Sequence, residues 1–260
     1  MLRTRNADEG SALGTWVKLS SPESVEILAH AGFDFVVIDL EHTTLDLGAC
    51  STHIALARAL GVDPLVRVPD HGQSTIQRVL DAGAVGVIVP HVDTADQARA
   101  AVRATRFPPH GVRGSGGTSR AGRWGTLPRA DYLRFGNDDA LCIVQLESPE
   151  AVANAAEIMA VDGVDSAFVG TADLSMSMGV AAGSEEVRRL VGSVLDAAAA
   201  AGRPLGTAAA TSGAARSALA SGYDYVVLSN DTSILASGAR ELVSAVHGSV
   251  DEPVVEGVPR

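Results

Sequence analysis

Lysine is almost missing from this chain: Lys18 is the single lysine, against 19 arginines. Covalent catalysis through a lysine Schiff base therefore has one candidate and no substitute. Cysteine is nearly as scarce, and Cys50 and Cys142 lie too far apart to suggest a disulfide framework. Positive charge is in deficit, with a net charge of −11, which argues against a nucleic-acid surface because that needs a clustered basic face. No apolar run reaches the roughly 18 residues of a membrane-spanning helix. The opening MLRTRNADEGSALG lacks the apolar core of a secretion signal, so a cytoplasmic location is expected. Aromatic residues make up only 4%.

What fills the 260 residues is mostly alanine, valine and glycine, a composition suited to helices packed on short β-branched strands. Short apolar runs alternate with segments of helical periodicity. Strands are expected near Leu13–Lys18, Phe33–Asp39, Pro64–Val68, Val85–Pro90, Leu141–Glu147, Ser166–Gly170, Pro204–Ala208 and Tyr223–Leu228. Helices are expected over Pro22–Ala31, Gly48–Leu60, Gln73–Ala82, Ala95–Ala104, Pro149–Ile158, Glu185–Ala201, Ala214–Ser221 and Thr232–His247. AGFDFVVID, AGAVGVIVP and SGYDYVVLS each place glycine where a helix must stop before a strand. Ser21-Pro22-Glu23 and Ser148-Pro149-Glu150 carry the matching start signals. Eight such units favour an α/β fold, a (β/α)8 TIM barrel, over an open doubly wound sheet. The expected division is one barrel domain over residues 1–248 and a flexible C-terminal tail over 249–260. Phe107–Pro128 breaks the rhythm with a long glycine-rich connection. Its Arg113, Arg120, Arg123 and Trp124 suggest a segment that shapes the mouth or a subunit contact.

In such a barrel the reacting groups stand at the C-terminal ends of the strands. Those ends carry Asp39, Glu41 and His42, then Arg67, His91, Gln145 with Glu147, and Ala172 with Asp173. Alternation points Gln145 and Glu147 the same way, and Asp39 and Glu41 likewise. Glu147 and Asp173 are 26 residues apart (147 to 173), about one strand–helix repeat, so both reach one rim. Two hard oxygen donors with room left for substrate suit a divalent cation such as Mg²⁺.

IDLEH, LVRVP, LDAGA, VIVPHVDTADQA, FPPHGVRG, VQLES and FVGTADLS, in this order, resemble the class II (metal-dependent) pyruvate aldolases. The type most similar is 4-hydroxy-2-oxoheptanedioate aldolase, and the likeness runs from about Gly14 to Ala245. The resemblance implies a TIM barrel of the phosphoenolpyruvate/pyruvate-binding type, with Glu147 and Asp173 holding the divalent metal. It implies that Gln145, Ala172 (through its backbone), Asp173 and Arg67 meet the substrate. His42 would be the general base, Asp81 would raise its basicity, and Arg67 would stabilise charge in the transition state. The chemistry suits those roles, since histidine exchanges a proton near neutral pH and a guanidinium never loses its charge. Asp39 and Glu41 are expected to orient neighbours, and neither is assigned to the metal. His30, His53, His71, His110 and His247 have no constellation around them.

The chain departs from the family pattern at four places. Thr171 replaces a proline, Thr43-Thr44 replaces Ala-Pro, Lys18 replaces a glycine, and His91 stands where an apolar side chain is usual. The implied activity is reversible cleavage of a 4-hydroxy-2-oxo acid to pyruvate and an aldehyde through a metal-stabilised pyruvate enolate. The implied cofactor is Mg²⁺ or Mn²⁺, with Co²⁺ also permitted. Alternatives are an oxaloacetate decarboxylase or another enolate-forming synthase on the same scaffold, and a non-catalytic 2-oxo-acid-binding protein. The implied partners are the 2-oxo acid and the aldehyde, with no nucleic acid and no membrane. A homo-oligomer, a hexamer by resemblance, would present Asp81 from a neighbouring subunit.

Overall fold

The computed structural model describes residues 11–247. The expected tail over 249–260 lies outside the described residues. Eight parallel strands close into a barrel in sequence order: β1 (Ala12–Val17), β2 (Phe35–Asp39), β3 (Asp63–Arg67), β4 (Gly86–Val89), β5 (Leu141–Leu146), β6 (Ser166–Val169), β7 (Leu205–Ala209) and β8 (Tyr225–Asn230). β8 returns to pair with β1, so no strand edge is left open. The open-sheet alternative is thereby removed. Among the described residues no helix is long and apolar enough to cross a membrane.

Period-2 alternation builds two apolar layers from each strand. Outward-facing residues such as Val36, Ile38, Val66, Val87, Val144 and Val169 pack under the helices. Inward-facing Trp16, Phe35, Val37, Leu65, Ile88, Ile143, Phe168, Tyr225 and Val227 fill the barrel. Large inward side chains are matched by glycine on the neighbouring strand. Gly14 pairs with Phe35 and Gly206 with Tyr225. A Cβ on either glycine would lie 2.2 or 2.1 Å from the facing ring. The parity that turns Phe35 and Val37 inward also turns Asp39 inward at the C-terminal end. The same logic carries Arg67 after Leu65, and Gln145 after Ile143.

The outer helices are α1 (Glu23–His30), α2 (Leu47–Ala59), α3 (Gln73–Asp81), α4 (Ala95–Thr105), α5 (Arg129–Arg134), α6 (Pro149–Ala153), α7 (Ala155–Met159), α8 (Thr171–Met178), α9 (Glu185–Ala201), α10 (Ser212–Ala220) and α11 (Asp231–His247). Gly32, Gly83 and Gly222, the helix stops read from sequence, all have positive φ. Ser148 caps α6 by accepting from the Ala151 amide at 3.0 Å. Ser21 departs from expectation: its hydroxyl meets the Glu23 carboxylate, and α1 starts without a side-chain cap. The helix expected over Pro149–Ile158 is broken at Asn154, whose side chain donates to the Asp93 carbonyl at 2.8 Å.

Phe107–Pro128 corrects one reading. It runs from the end of α4 to the helix Arg129–Arg134 ahead of β5, so it crosses the N-terminal face and does not border the mouth of its own barrel, leaving the subunit-contact reading. Arg120, Ala121, Arg123 and Leu127 line a cavity of about 560 Å³ there, with Phe35, Val85 and Leu141.

Candidate active site

Asp39 organises the C-terminal rim. It is fully buried, and its Oδ1 accepts from the Glu41 amide at 3.1 Å and the His42 amide at 3.3 Å. The Thr43 hydroxyl returns to the Asp39 carbonyl, closing a tight turn after β2. Arg67 grips the Asp39 carboxylate in a fork, Nε to Oδ1 at 2.9 Å and Nη2 to Oδ2 at 2.8 Å. Lys18 adds its ammonium at 3.1 Å from Oδ2. Burial pushes the Asp39 carboxyl up, but the Arg67 and Lys18 charges outweigh it and hold the group below its ordinary range. Lys18 is thus ion-paired to Asp39 at the rim.

Arg67 carries the network onward. Its Nη1 lies 3.0 Å from Glu41 Oε2, and its guanidinium stacks 4.2 Å above the Trp16 ring. That ion pair lacks hydrogen-bond geometry, so the buried Glu41 Oε2 has no hydrogen-bond donor. His91 joins the two sides of the site: Nε2 is 3.0 Å from Glu41 Oε1, and Nδ1 is 2.8 Å from Glu147 Oε1. The His91 backbone amide also donates to Glu147 Oε1 at 2.8 Å. This double hold sits at the end of β4, where His91 adopts φ +53°, a conformation L-residues seldom take.

Glu147 is buried, and the Gln145 amide donates to its Oε2. Gly170, after β6, admits this pair, since a Cβ there would lie 2.9 Å from both Glu147 Cβ and Oε2. Burial pushes the Glu147 carboxyl above its ordinary range; the His91 amide and charge and the Gln145 amide oppose that, while Glu41 adds to it. Glu41, His91 and Glu147 each offer a donor atom within 4.8 Å of the others. A buried, repelling carboxylate pair with an imidazole is a donor set that fits a divalent cation.

The candidate residues are not all brought together. Gln145, Glu147 and Arg67 share the rim network with Asp39, Glu41 and His91. His42 is exposed beside it, its Nε2 3.5 Å from Glu41 Oε2. Asp173 and Ala172 stand in the first turn of α8, on the same rim, but Asp173 is not part of the 4.8 Å cluster. Asp81 lies at the opposite end, closing α3 before β4, where Arg113 pairs with it at 2.8 Å and Tyr132 donates to it at 3.4 Å. Within one chain it does not meet His42. Sequence reasoning assigned no role to His91 and gave Glu41 only that of orienting neighbours. Their position after β4 and β2 was the only available signal.

A closed (β/α)8 barrel with carboxylates, an arginine and histidines converging on its C-terminal rim has the layout of a barrel enzyme's active site. The HpcH/HpaI aldolase/citrate lyase family matches residues 12–238. Hydroxypyruvate/pyruvate aldolase of Deinococcus radiodurans is 40% identical over 244 residues, covering 90% of this chain and 84% of that one. The 4-hydroxy-2-oxo-heptane-1,7-dioate aldolase of Salmonella paratyphi A is 38% identical over 235 residues, 89% of each chain. A solved HpcH/HpaI aldolase/citrate lyase family protein of Burkholderia cenocepacia superposes with a TM-score of 0.88 at 36% identity, covering 94% of this chain and 96% of that one. The chain belongs to the HpcH/HpaI aldolase/citrate lyase family. It is a carbon–carbon lyase of the metal-dependent pyruvate aldolase class.

Proposed function

We propose that this enzyme cleaves a 4-hydroxy-2-oxo acid to pyruvate and an aldehyde, and catalyses the aldol addition in reverse. Glu147 and Asp173 would hold the divalent metal, Mg²⁺ or Mn²⁺. When bound, that ion supplies Lewis acidity toward the keto oxygen of the 2-oxo acid. The observation that carries the reading is the buried Glu147, hydrogen-bonded by Gln145 and bridged through His91 to Glu41, which pairs with Arg67 on the rim.

Each protein group then has a role. Arg67, pinned by Asp39 and Glu41, presents a fixed positive charge that needs no rearrangement when negative charge develops on the substrate. Gln145 has its carbonyl Oε1 buried without a donor, which leaves it available to a substrate or solvent hydroxyl. The N-terminus of α8 has no side-chain cap, so the backbone around Ala172 is free to meet the substrate carboxylate. His42, exposed beside the rim, takes a proton from the 4-hydroxyl in cleavage and returns it in addition. Asp81 would support His42 from a neighbouring subunit of a homo-oligomer, a hexamer by family likeness.

The test is a panel of aldehydes incubated with pyruvate and cation-loaded enzyme, with the 4-hydroxy-2-oxo product identified by mass spectrometry. Adduct formation with at least one aldehyde is expected. Oxaloacetate consumption without any aldol product on the panel would replace the proposal with a decarboxylase.

A further inference from the structure

We propose that His91 is a nitrogen ligand of the divalent metal, binding through Nδ1 beside Glu147, with Glu41 holding the far ring nitrogen. This rests on the reading of the rim as a metal-dependent site, and adds to it a ligand that an apolar residue could not provide.

The geometry points there for three reasons. His91 Nδ1 and Glu147 Oε1 are 2.8 Å apart. Two donors at right angles on one ion, each about 2.1 Å away, stand about 3.0 Å apart, so this spacing matches one edge of an octahedron with little movement. Second, Nε2 faces Glu41 Oε1 at 3.0 Å, and Glu41 is in turn held by Arg67. A carboxylate on the far nitrogen fixes ring orientation and tautomer, leaving Nδ1 as the donor toward the metal. Third, the His91 backbone, at φ +53°, donates its amide to the same Glu147 oxygen, so the root of the imidazole is fixed beside that carboxylate.

An independent observation marks the same spot as built for a ligand. Gln145 is 1% exposed and its Nε2 donates to Glu147, yet its Oε1 has no hydrogen-bond partner. A buried amide with one end on a metal-competent carboxylate and the other unsatisfied awaits a donor from a guest.

A nitrogen donor changes which metals are favoured. Mg²⁺ prefers oxygen, whereas imidazole suits Mn²⁺, Co²⁺ and their neighbours increasingly well along the first-row series. The chain is therefore expected to discriminate against Mg²⁺ more strongly than an all-oxygen version of the same site.

The experiment uses the whole chain loaded with Mn²⁺ alone, read by electron spin-echo envelope modulation, and Mn²⁺, Co²⁺ and Mg²⁺ affinities by calorimetry. Bound Mn²⁺ is expected to show nitrogen modulation in the wild type and none in His91→Leu. Co²⁺ affinity should fall about tenfold or more in the variant, while Mg²⁺ affinity changes less than about threefold. His91→Asn, whose side chain tolerates the left-handed backbone, repeats the test should leucine disturb folding. Mn²⁺ bound with no nitrogen modulation would overturn the His91 assignment and leave the oxygen-ligated enzyme intact. Failure of the wild type to bind any of the three ions would overturn both.

Discussion

Replacing Arg67 by methionine is the most informative single perturbation, because one guanidinium props the site and, in the proposed mechanism, also meets the substrate. The substitution removes the 2.9 and 2.8 Å hydrogen bonds to Asp39 and the 3.0 Å pair with Glu41. It strands the fully buried Asp39 carboxylate with only Lys18 as a countercharge. Breaking a buried pair by deleting one partner costs about 3–5 kcal/mol. At about 2–4 °C per kcal/mol for a chain of this size, the melting temperature should fall by roughly 6–20 °C. Loss of a preorganised charge at the reacting oxygen should lower kcat by about 10²–10³. Differential scanning calorimetry and pyruvate methyl exchange read the two effects. Adding Asp39→Asn should restore at least half of the stability, because the stranded charge is gone and the Asn carbonyl still accepts the Glu41 and His42 amides, but it should restore none of the activity. A melting temperature within 2 °C of wild type, or kcat within about threefold, would refute the reasoning.

Gly170→Ala should press a methyl against Glu147 Cβ and Oε2 at 2.9 Å, weakening cation affinity about tenfold by calorimetry while costing about 1–3 kcal/mol of stability. Gly14→Ala, whose Cβ would meet the Phe35 ring at 2.2 Å, should destabilise the barrel by about 1–3 kcal/mol, read by urea titration, and leave cation affinity unchanged. The pH dependence of cation-free protein follows from Glu147, whose folded carboxyl lies above its ordinary value of 4.5. The folded state then holds the proton more tightly than the unfolded chain, so this contribution is present below 4.5 and lost as pH rises through the folded value. Glu147→Gln should flatten that part of the melting-temperature profile. An unchanged profile would show that another group governs it.

Much of the architecture was legible because two local rules recur along the chain. Gly32, Gly83 and Gly222 announce helix stops through the one backbone conformation glycine takes freely. The strands after them alternate between barrel interior and helix-facing layer. The same parity allowed Asp39 with Glu41, and Gln145 with Glu147, to be placed facing one way before any coordinates. What escaped depends on contacts across strands rather than along them. Nothing local to Pro90-His91-Val92 signals that His91 will bend back to bridge Glu41 and Glu147. Asn154, where the helix is interrupted, bonds through its side chain to the Asp93 carbonyl, a partner 61 residues away. For the glycine-rich Phe107–Pro128, read as shaping the mouth or a subunit contact, the first option fails within the chain because a connection from a helix toward the next strand lies on the opposite face. Asp81 shares that face, so its link to His42 depends on a second subunit.

The most direct test follows deuterium into the methyl group of pyruvate by mass spectrometry, using folded enzyme with divalent cation, after chelation, and after the cation is restored. Exchange that appears with the ion, stops on chelation and resumes on its return is the expected result. Cation-loaded, folded protein that leaves the methyl protons untouched, or exchange indifferent to the chelator, would contradict the account.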